Sequence, residues 1–175
     1  MTAYSSVAPP RRRLPRTMPA VVAALAVLCV AIYIVVITGP PAHAAATLLS
    51  QGRPTTASST ENAGTPASNA TDGNTGTRWS SAFSDPQWLQ VDLGSSQSVC
   101  GVSLNWEPAF ATAFQIQISP DAVNWSTIFS TTSGTGGIQN LNVNGTGRFV
   151  RMLGTARGTA FGYSLWEFDV FTTGG

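Results

Sequence analysis

The run Gln87-Trp88-Leu89-Gln90-Val91-Asp92-Leu93-Gly94 decides the architecture. Leu89, Val91 and Leu93 alternate with Gln90 and Asp92, and the run closes on a glycine. Period two is the spacing at which an extended strand buries one face and wets the other. Outward from this run the alternation recurs. Cys100, Val102, Leu104 and Trp106 share one face, and Phe114, Ile116 and Ile118 alternate with Gln115 and Gln117. Residues 125–131, 138–143, 148–153 and 164–171 read as further strands. The turns Ser119-Pro120-Asp121-Ala122-Val123-Asn124 and Gly134-Thr135-Gly136-Gly137 punctuate them. Ser, Thr, Gly and Asn are abundant, and no window has a helical apolar stripe. The expected fold is an all-β jelly-roll sandwich of about eight antiparallel strands.

The N-terminal stretch reads differently. Arg11, Arg12, Arg13 and Arg16 stand in the first seventeen residues without an acid, and residues 19–38 carry no charge. Gly39-Pro40-Pro41 then breaks any helix, and Ala42-His43-Ala44 offers small residues where a signal peptidase reads. Residues 1–44 are expected to be a secretory signal cleaved after Ala44. The apolar run is also long enough, at about 30 Å of helix, for an uncleaved membrane anchor. Either way the Arg cluster stays inside and residues 45–175 form one domain outside the cell. That domain pattern runs to the last strand, so no catalytic module is expected within it.

Without residues 1–44 the balance is five Arg against eight acids, a net charge of −3, with no Lys in the whole chain. Such a surface does not suit nucleic acid. His43 and Cys29 leave with the signal, so the remaining domain has no His and one cysteine, Cys100. This excludes an internal disulfide, a His-based zinc site, a Ser-His-Asp triad and a Schiff-base lysine. Cys100 alternates with core residues and is expected to be buried.

Between the first strands lies Ala70-Thr71-Asp72-Gly73-Asn74-Thr75-Gly76-Thr77-Arg78-Trp79. Two glycine bends turn its carbonyls inward, and Asp72 and Thr77 add side-chain oxygens. A cage of hard oxygens suits Ca²⁺, although Phe83 and not Glu stands at the twelfth position an EF-hand would need. A plain polar turn is the alternative on these residues alone.

Four segments in register resemble the discoidin, or coagulation factor V/VIII type C, domain, which in bacteria overlaps carbohydrate-binding module family 32. They are Asp-Gly-Asn-x-x-Thr-Arg-Trp at 72–79, the run 87–94, Gly147-Arg148-Phe149-Val150-Arg151-Met152, and Gly162-Tyr163-Ser164-Leu165-Trp166-Glu167-Phe168. The resemblance covers residues 48–171 and implies a galactose-binding-domain-like sandwich. It implies a structural Ca²⁺ site made of Asn69, Asp72, Asn74, Thr77, Trp166 and Glu167. It also implies an Arg151–Asp92 ion pair inside the sandwich.

Function should lie on loops at one end, where exposed aromatics stand beside charge: residues 79–86, 107–110 and 157–163. A sugar ring has an apolar C–H face and a rim of hydroxyls, so its site needs a flat aromatic and fixed polar groups. Glu61, Arg78, Phe83, Glu107 and Tyr163 supply those types. A simple Arg78–Glu107 pair is the structural alternative. Two carboxylates with no Lys or His suit a cationic amino sugar, and the resembling subtype accompanies enzymes acting on chitosan and β-glucans. Galactose binders of the family use a rim histidine that is missing here. The expected function is therefore a secreted, non-catalytic, monomeric polysaccharide-binding module. Two alternatives stay open: a membrane-lipid adhesion domain, which an acidic surface disfavours, and a small glycosidase using Glu61 and Glu107.

Overall fold

A computed structural model describes residues 46–173; the signal or anchor assigned to residues 1–44 lies outside them. The elements in chain order are β1 (Ala46–Leu48), β2 (Thr55–Ala57), a 3-10 turn (Ala67–Thr71), β3 (Trp79–Ser80), β4 (Gln87–Trp106), β5 (Ala111–Ser119), β6 (Ser126–Thr131), β7 (Ile138–Arg157) and β8 (Ser164–Thr173). All strand pairings are antiparallel. The main order is β1-β8-β4-β7-β5-β6, with β2 added to β4 and β3 to β8.

Four of the expected strands turn out to be halves of two. β4 and β7 each run 20 residues and change register between Asp92 and Gln97, close to Gly94 at φ +86°. Glycine accepts that conformation without a Cβ clash. The first half of β4 pairs with β2 and the second half of β7, which continues to β5 and β6. The second half of β4 pairs with the first half of β7 and with β8, which carries β1 and β3. The kinked strands thus feed both layers of a sandwich. Leu89, Val91, Val102, Leu104, Phe114, Ile116, Met152, Leu165 and Phe168 from both layers meet in one core. Period two holds in each half of β4, with Leu89, Val91 and Leu93 inward in one and Val102, Leu104 and Trp106 inward in the other.

Two expectations change here. A second register shift between Val99 and Gly101 turns Val99 inward and leaves Cys100 half-buried. A bulge inserts one residue and reverses which side chain faces the core. The Arg151–Asp92 pair is also absent. Asp92 instead takes a two-pronged contact from Arg148, with Nε and Nη2 each donating at 2.7 Å. Register puts Arg151 opposite Gln90. There its guanidinium donates to Gln117 Oε1 at 2.7 Å and lies over the Trp125 ring, 4.0 Å from the centroid.

Candidate functional site

The site is assembled around the two-residue pairing of β3 with β8, in which Ser80 faces Ser164. The Glu61 amide donates to the Ser80 carbonyl at 2.7 Å, which fixes the Glu61 turn against β3. On the other side the Glu107 amide donates to the Ser164 carbonyl, and the Ser164 amide to the Ala109 carbonyl. Glu107 Oε2 accepts the Ala109 amide at 2.9 Å, holding its own carboxylate in that turn. Ser164 Oγ donates to the Trp79 carbonyl and accepts Arg78 Nη1 at 3.2 Å. Two turns far apart in sequence, and the Arg78 guanidinium, are thereby tied to one short ladder. Ser164 opens β8 and is not among the residues expected to form the site.

Above this ladder opens a cleft of ≈ 290 Å³, near the lower end of small-ligand pockets. Glu61, Arg78, Phe83 and Glu107 all line it, joined by Ser80, Pro108, Ala109, Thr159 and Phe161. Arg78 lies 3.6 Å from Glu61 Oε2, not against Glu107, and both side chains are partly open to solvent. A surface pair of this kind is worth little in stability, so its place in a cleft is the informative fact. Phe83 and Phe161 are 49% and 61% exposed, and their rings meet edge to face at 5.7 Å and 88°. Exposed phenyl rings beside carboxylates offer apolar contact and charge within one concave surface.

Tyr163 does not join them, which corrects the expectation that it contacts ligand. Its relative exposure is 0%. Its backbone is held on both sides by Ser81: the Tyr163 amide donates to Ser81 Oγ, and its carbonyl accepts the Ser81 amide. Gly162 packs so closely on the Ser81 carbonyl that a Cβ there would clash, and the Tyr163 ring covers Gly154 in the same way. The phenol donates to Asp85 Oδ1. Burial first, and then that carboxylate, raise the phenol pKa. Asp85 Oδ2 also accepts Arg157 Nε at 3.2 Å, and Arg157 Nη1 donates to the carbonyls of Ala160 and Phe161 at 3.3 Å each.

The 72–77 loop forms a second polar centre. Asp72 Oδ1 accepts the Asn74 amide at 2.8 Å, and Asp72 Oδ2 accepts Thr77 Oγ1 at 2.7 Å. The Thr77 amide donates to the Asn74 carbonyl, and Asn69 Nδ2 donates to the Arg78 carbonyl. Gly73 takes φ +77° at the bend. Glu167 of β8 is 7% exposed, and its Oε1 is buried without a hydrogen-bond partner. Burial, then the neighbouring carboxylates Asp169 and Asp72, push its pKa up to about 7, while the Gly73 and Asn74 amides pull the other way. Glu167 thus lies within electrostatic reach of Asp72 and carries one unsatisfied oxygen. Such a pair calls for a positive counter-charge. Among the described residues no three His, Cys, Asp or Glu side chains converge as a metal cluster. A cation here would rest on two carboxylates plus neutral oxygens, a donor set that fits a hard cation. Trp79 is fully buried beside the loop and donates its Nε1 to the Ser59 carbonyl.

The F5/8 type C domain model matches residues 54–168. The chain belongs to the F5/8 type C family. Among solved structures, this domain is similar to chitosan-binding module 1 derived from the chitosanase/glucanase of Paenibacillus sp. IK-5. The two are 50% identical with a TM-score of 0.70, over 72% of this chain and 99% of that one. It is also similar to chitosan-binding module 2 of the same enzyme, solved in complex with chitotriose. There the identity is 47% and the TM-score 0.70, over 71% of this chain and 99% of that one. A curated relative, the polysaccharide lyase 8 family protein HylA of Enterococcus faecalis (strain ATCC 700802 / V583), is 37% identical over 68 residues. The match takes in 39% of this chain and spans 5% of that lyase. The F5/8 type C domain is thus a carbohydrate-binding-module fold with the expected all-β jelly-roll architecture.

Proposed function

We propose that this F5/8 type C domain is a non-catalytic module that binds chitosan, with a β-glucan as the second candidate, through the cleft between the 79–86, 107–110 and 157–163 loops. The observation that carries the reading is the convergence of Glu61, Glu107, Arg78 and Phe83 on one cleft. An amino sugar places an ammonium group on the rim of an apolar-faced ring. Two carboxylates give that ammonium charge-assisted hydrogen bonds, Arg78 orients Glu61 and meets ring hydroxyls, and Phe83 takes the C–H face. Similarity to two chitosan-binding modules supports the same ligand class. The protein acts as a monomer, and it works outside the cell after cleavage following Ala44. Exported protein beginning at Ala45 is the expected N-terminal sequence. Intact residues 1–44 in a membrane pellet would instead make it an anchored binder.

The metal belongs to this proposal too. Ca²⁺ would be held by Asp72 and Glu167 carboxylates, by carbonyls of Asn69, Asn74, Thr77 and Trp166, and by the Thr77 hydroxyl. Bound there, it would supply charge neutralisation and a cross-link between the 72–77 loop and the last strand. The unpartnered Glu167 oxygen supports this reading. Its role is stability, since none of these residues lines the cleft.

The deciding test is a pull-down panel of insoluble chitosan, chitin, β-1,3-glucan, cellulose and galactan, with reducing-sugar release measured alongside. Retention on chitosan without sugar release is expected. Release of reducing sugar would replace the module by a glycosidase using Glu61 and Glu107, and flotation with liposomes would favour the lipid-adhesion alternative.

A further inference from the structure

The chain has two loops that carry the aromatic wall of the cleft, and one polar group holds both. Asp85 lies two residues beyond Phe83, and Arg157 opens the loop that ends in Phe161-Gly162-Tyr163. One Asp85 oxygen takes the buried Tyr163 hydroxyl and the other takes Arg157 Nε. Arg157 then spends Nη1 on the carbonyls of Ala160 and Phe161, the two residues that set where the Phe161 ring stands. The Arg157–Asp85 pair is partly shielded, at 23% and 34% side-chain exposure. None of Asp85, Arg157 or Tyr163 lines the cleft. The bond from Arg157 to the Phe161 carbonyl connects them to one of its lining residues.

The two rings stand at 88° to each other. A pyranose is nearly flat, so it can lie on one of these faces and not on both. Phe83 shares the Arg78-Trp79-Ser80-Ser81-Ala82-Phe83 segment with the cleft guanidinium, whereas Phe161 comes from the opposite loop beside Thr159. One ring therefore serves the sugar at the charged groups and the other is left for its neighbour along the chain.

We propose that Asp85 and Arg157 are positioning residues: their ion pair holds Phe161 as the platform for a second sugar unit, and so sets how much affinity the domain gains from chain length. The inference rests on the proposed amino-sugar reading and names the extended oligosaccharide as its ligand. It assigns the charged subsite to a single glucosamine unit and the Phe161 subsite to the adjacent unit. A guanidinium fork is needed, because one group must meet a carboxylate and two carbonyls at once. Lysine cannot replace it.

The test compares glucosamine with chitotriose on the full-length protein by NMR titration. For the wild type, chitotriose binds more tightly than glucosamine. Phe161→Ala removes most of that gain, about tenfold. Arg157→Lys and Asp85→Asn, which lie off the cleft lining, reduce the gain by about threefold to tenfold without changing glucosamine binding. In the double variant Phe161→Ala/Arg157→Lys the loss is no larger than in Phe161→Ala alone, because residues acting through one group are non-additive. By contrast, Arg157→Lys combined with Glu61→Gln shows independent losses. Phe161 is exposed, so its alanine variant folds whatever the Asp85–Arg157 pair does. Arg157→Lys and Asp85→Asn with an undiminished chain-length gain would overturn the positioning role, as would full additivity with Phe161→Ala. A wild type that binds neither sugar would overturn the amino-sugar reading and this inference together, a result distinct from either of those.

Discussion

Two glutamates, one in each polar centre, show what this domain does with carboxylates. Glu61 stands at a cleft rim, partly open to water, with Arg78 3.6 Å away. Glu167 is sealed on β8 behind the 72–77 loop, with one oxygen unpartnered and Asp72 and Asp169 for neighbours. A solvated carboxylate exchanges partners at little cost, so the cleft suits a ligand that comes and goes. A buried carboxylate among others of its sign is costly until a cation sits with it. The first centre fits recognition and the second fits permanent cross-linking. The two are joined through the short 3-10 turn and β3, so one mutation scan can separate them.

The comparison is most easily broken at the metal. A bound ion stabilises by mass action, about 2.7 kcal/mol at a hundredfold excess over its dissociation constant. Chelation with EGTA should therefore lower the melting temperature by roughly 5–10 °C. Ca²⁺ should restore it, whereas Mg²⁺, which demands a smaller octahedral site, should not. Asp72→Ala should melt like the chelated protein and ignore Ca²⁺. A melting curve of demonstrably metal-free protein that chelator does not move would reduce the loop to a polar turn.

Glu167→Gln sharpens the same contrast. In EGTA at pH 8 it should melt higher than chelated wild type, because the unpaired buried charge is gone, and it should no longer respond to Ca²⁺. Glu61→Gln under the same conditions should leave the melting curve within about 0.5 kcal/mol of wild type, as an exposed pair predicts. Differential scanning calorimetry reads both. If Glu61→Gln shifts stability as much as Glu167→Gln, the two centres are not different in kind.

The sequence carried most of this, unevenly. Period-two runs identified the strands and their inward faces because burial on one side leaves a local signature. Four cleft residues were legible as types a sugar needs. Four features were not local. The kinks that make β4 and β7 single strands depend on pairing registers that only the folded sheet defines. Cys100 and Val99 exchange faces at one bulge, and Arg148 takes the partner expected of Arg151. Phe161 and Tyr163 stand two residues apart in a loop where either could face out. What separates them is Gly162 packed on the Ser81 carbonyl, a tertiary contact. In sequence both are aromatics of one turn-rich loop after Arg157, so no local pattern ranks Phe161 above Tyr163.

A smaller effect tests the loops far from both centres. Amide and side-chain hydrogen bonds from Asn124, with the Val123 amide, hold Asp121 well below the usual carboxylate range, and Arg148 does so for Asp92. A carboxyl whose folded pKa is depressed lends stability that is present above its unfolded value, about 4. That stability is lost as the pH falls through the folded value. Melting temperature should therefore decline as pH drops below about 4. Asp121→Asn should flatten that decline slightly, and a variant with the wild-type acid slope would remove Asp121 from the account.

The most direct test of the central claim is calorimetric titration of chitotriose into wild type and into the Glu61→Gln/Glu107→Gln variant, each with Ca²⁺ and with EGTA, well below the melting temperature. The account predicts binding to wild type that weakens with added salt as charge pairs are screened. It predicts the same affinity with and without chelator, and loss of at least tenfold in the double glutamine variant. Undiminished chitotriose binding by that variant, in protein that melts like wild type, would contradict it.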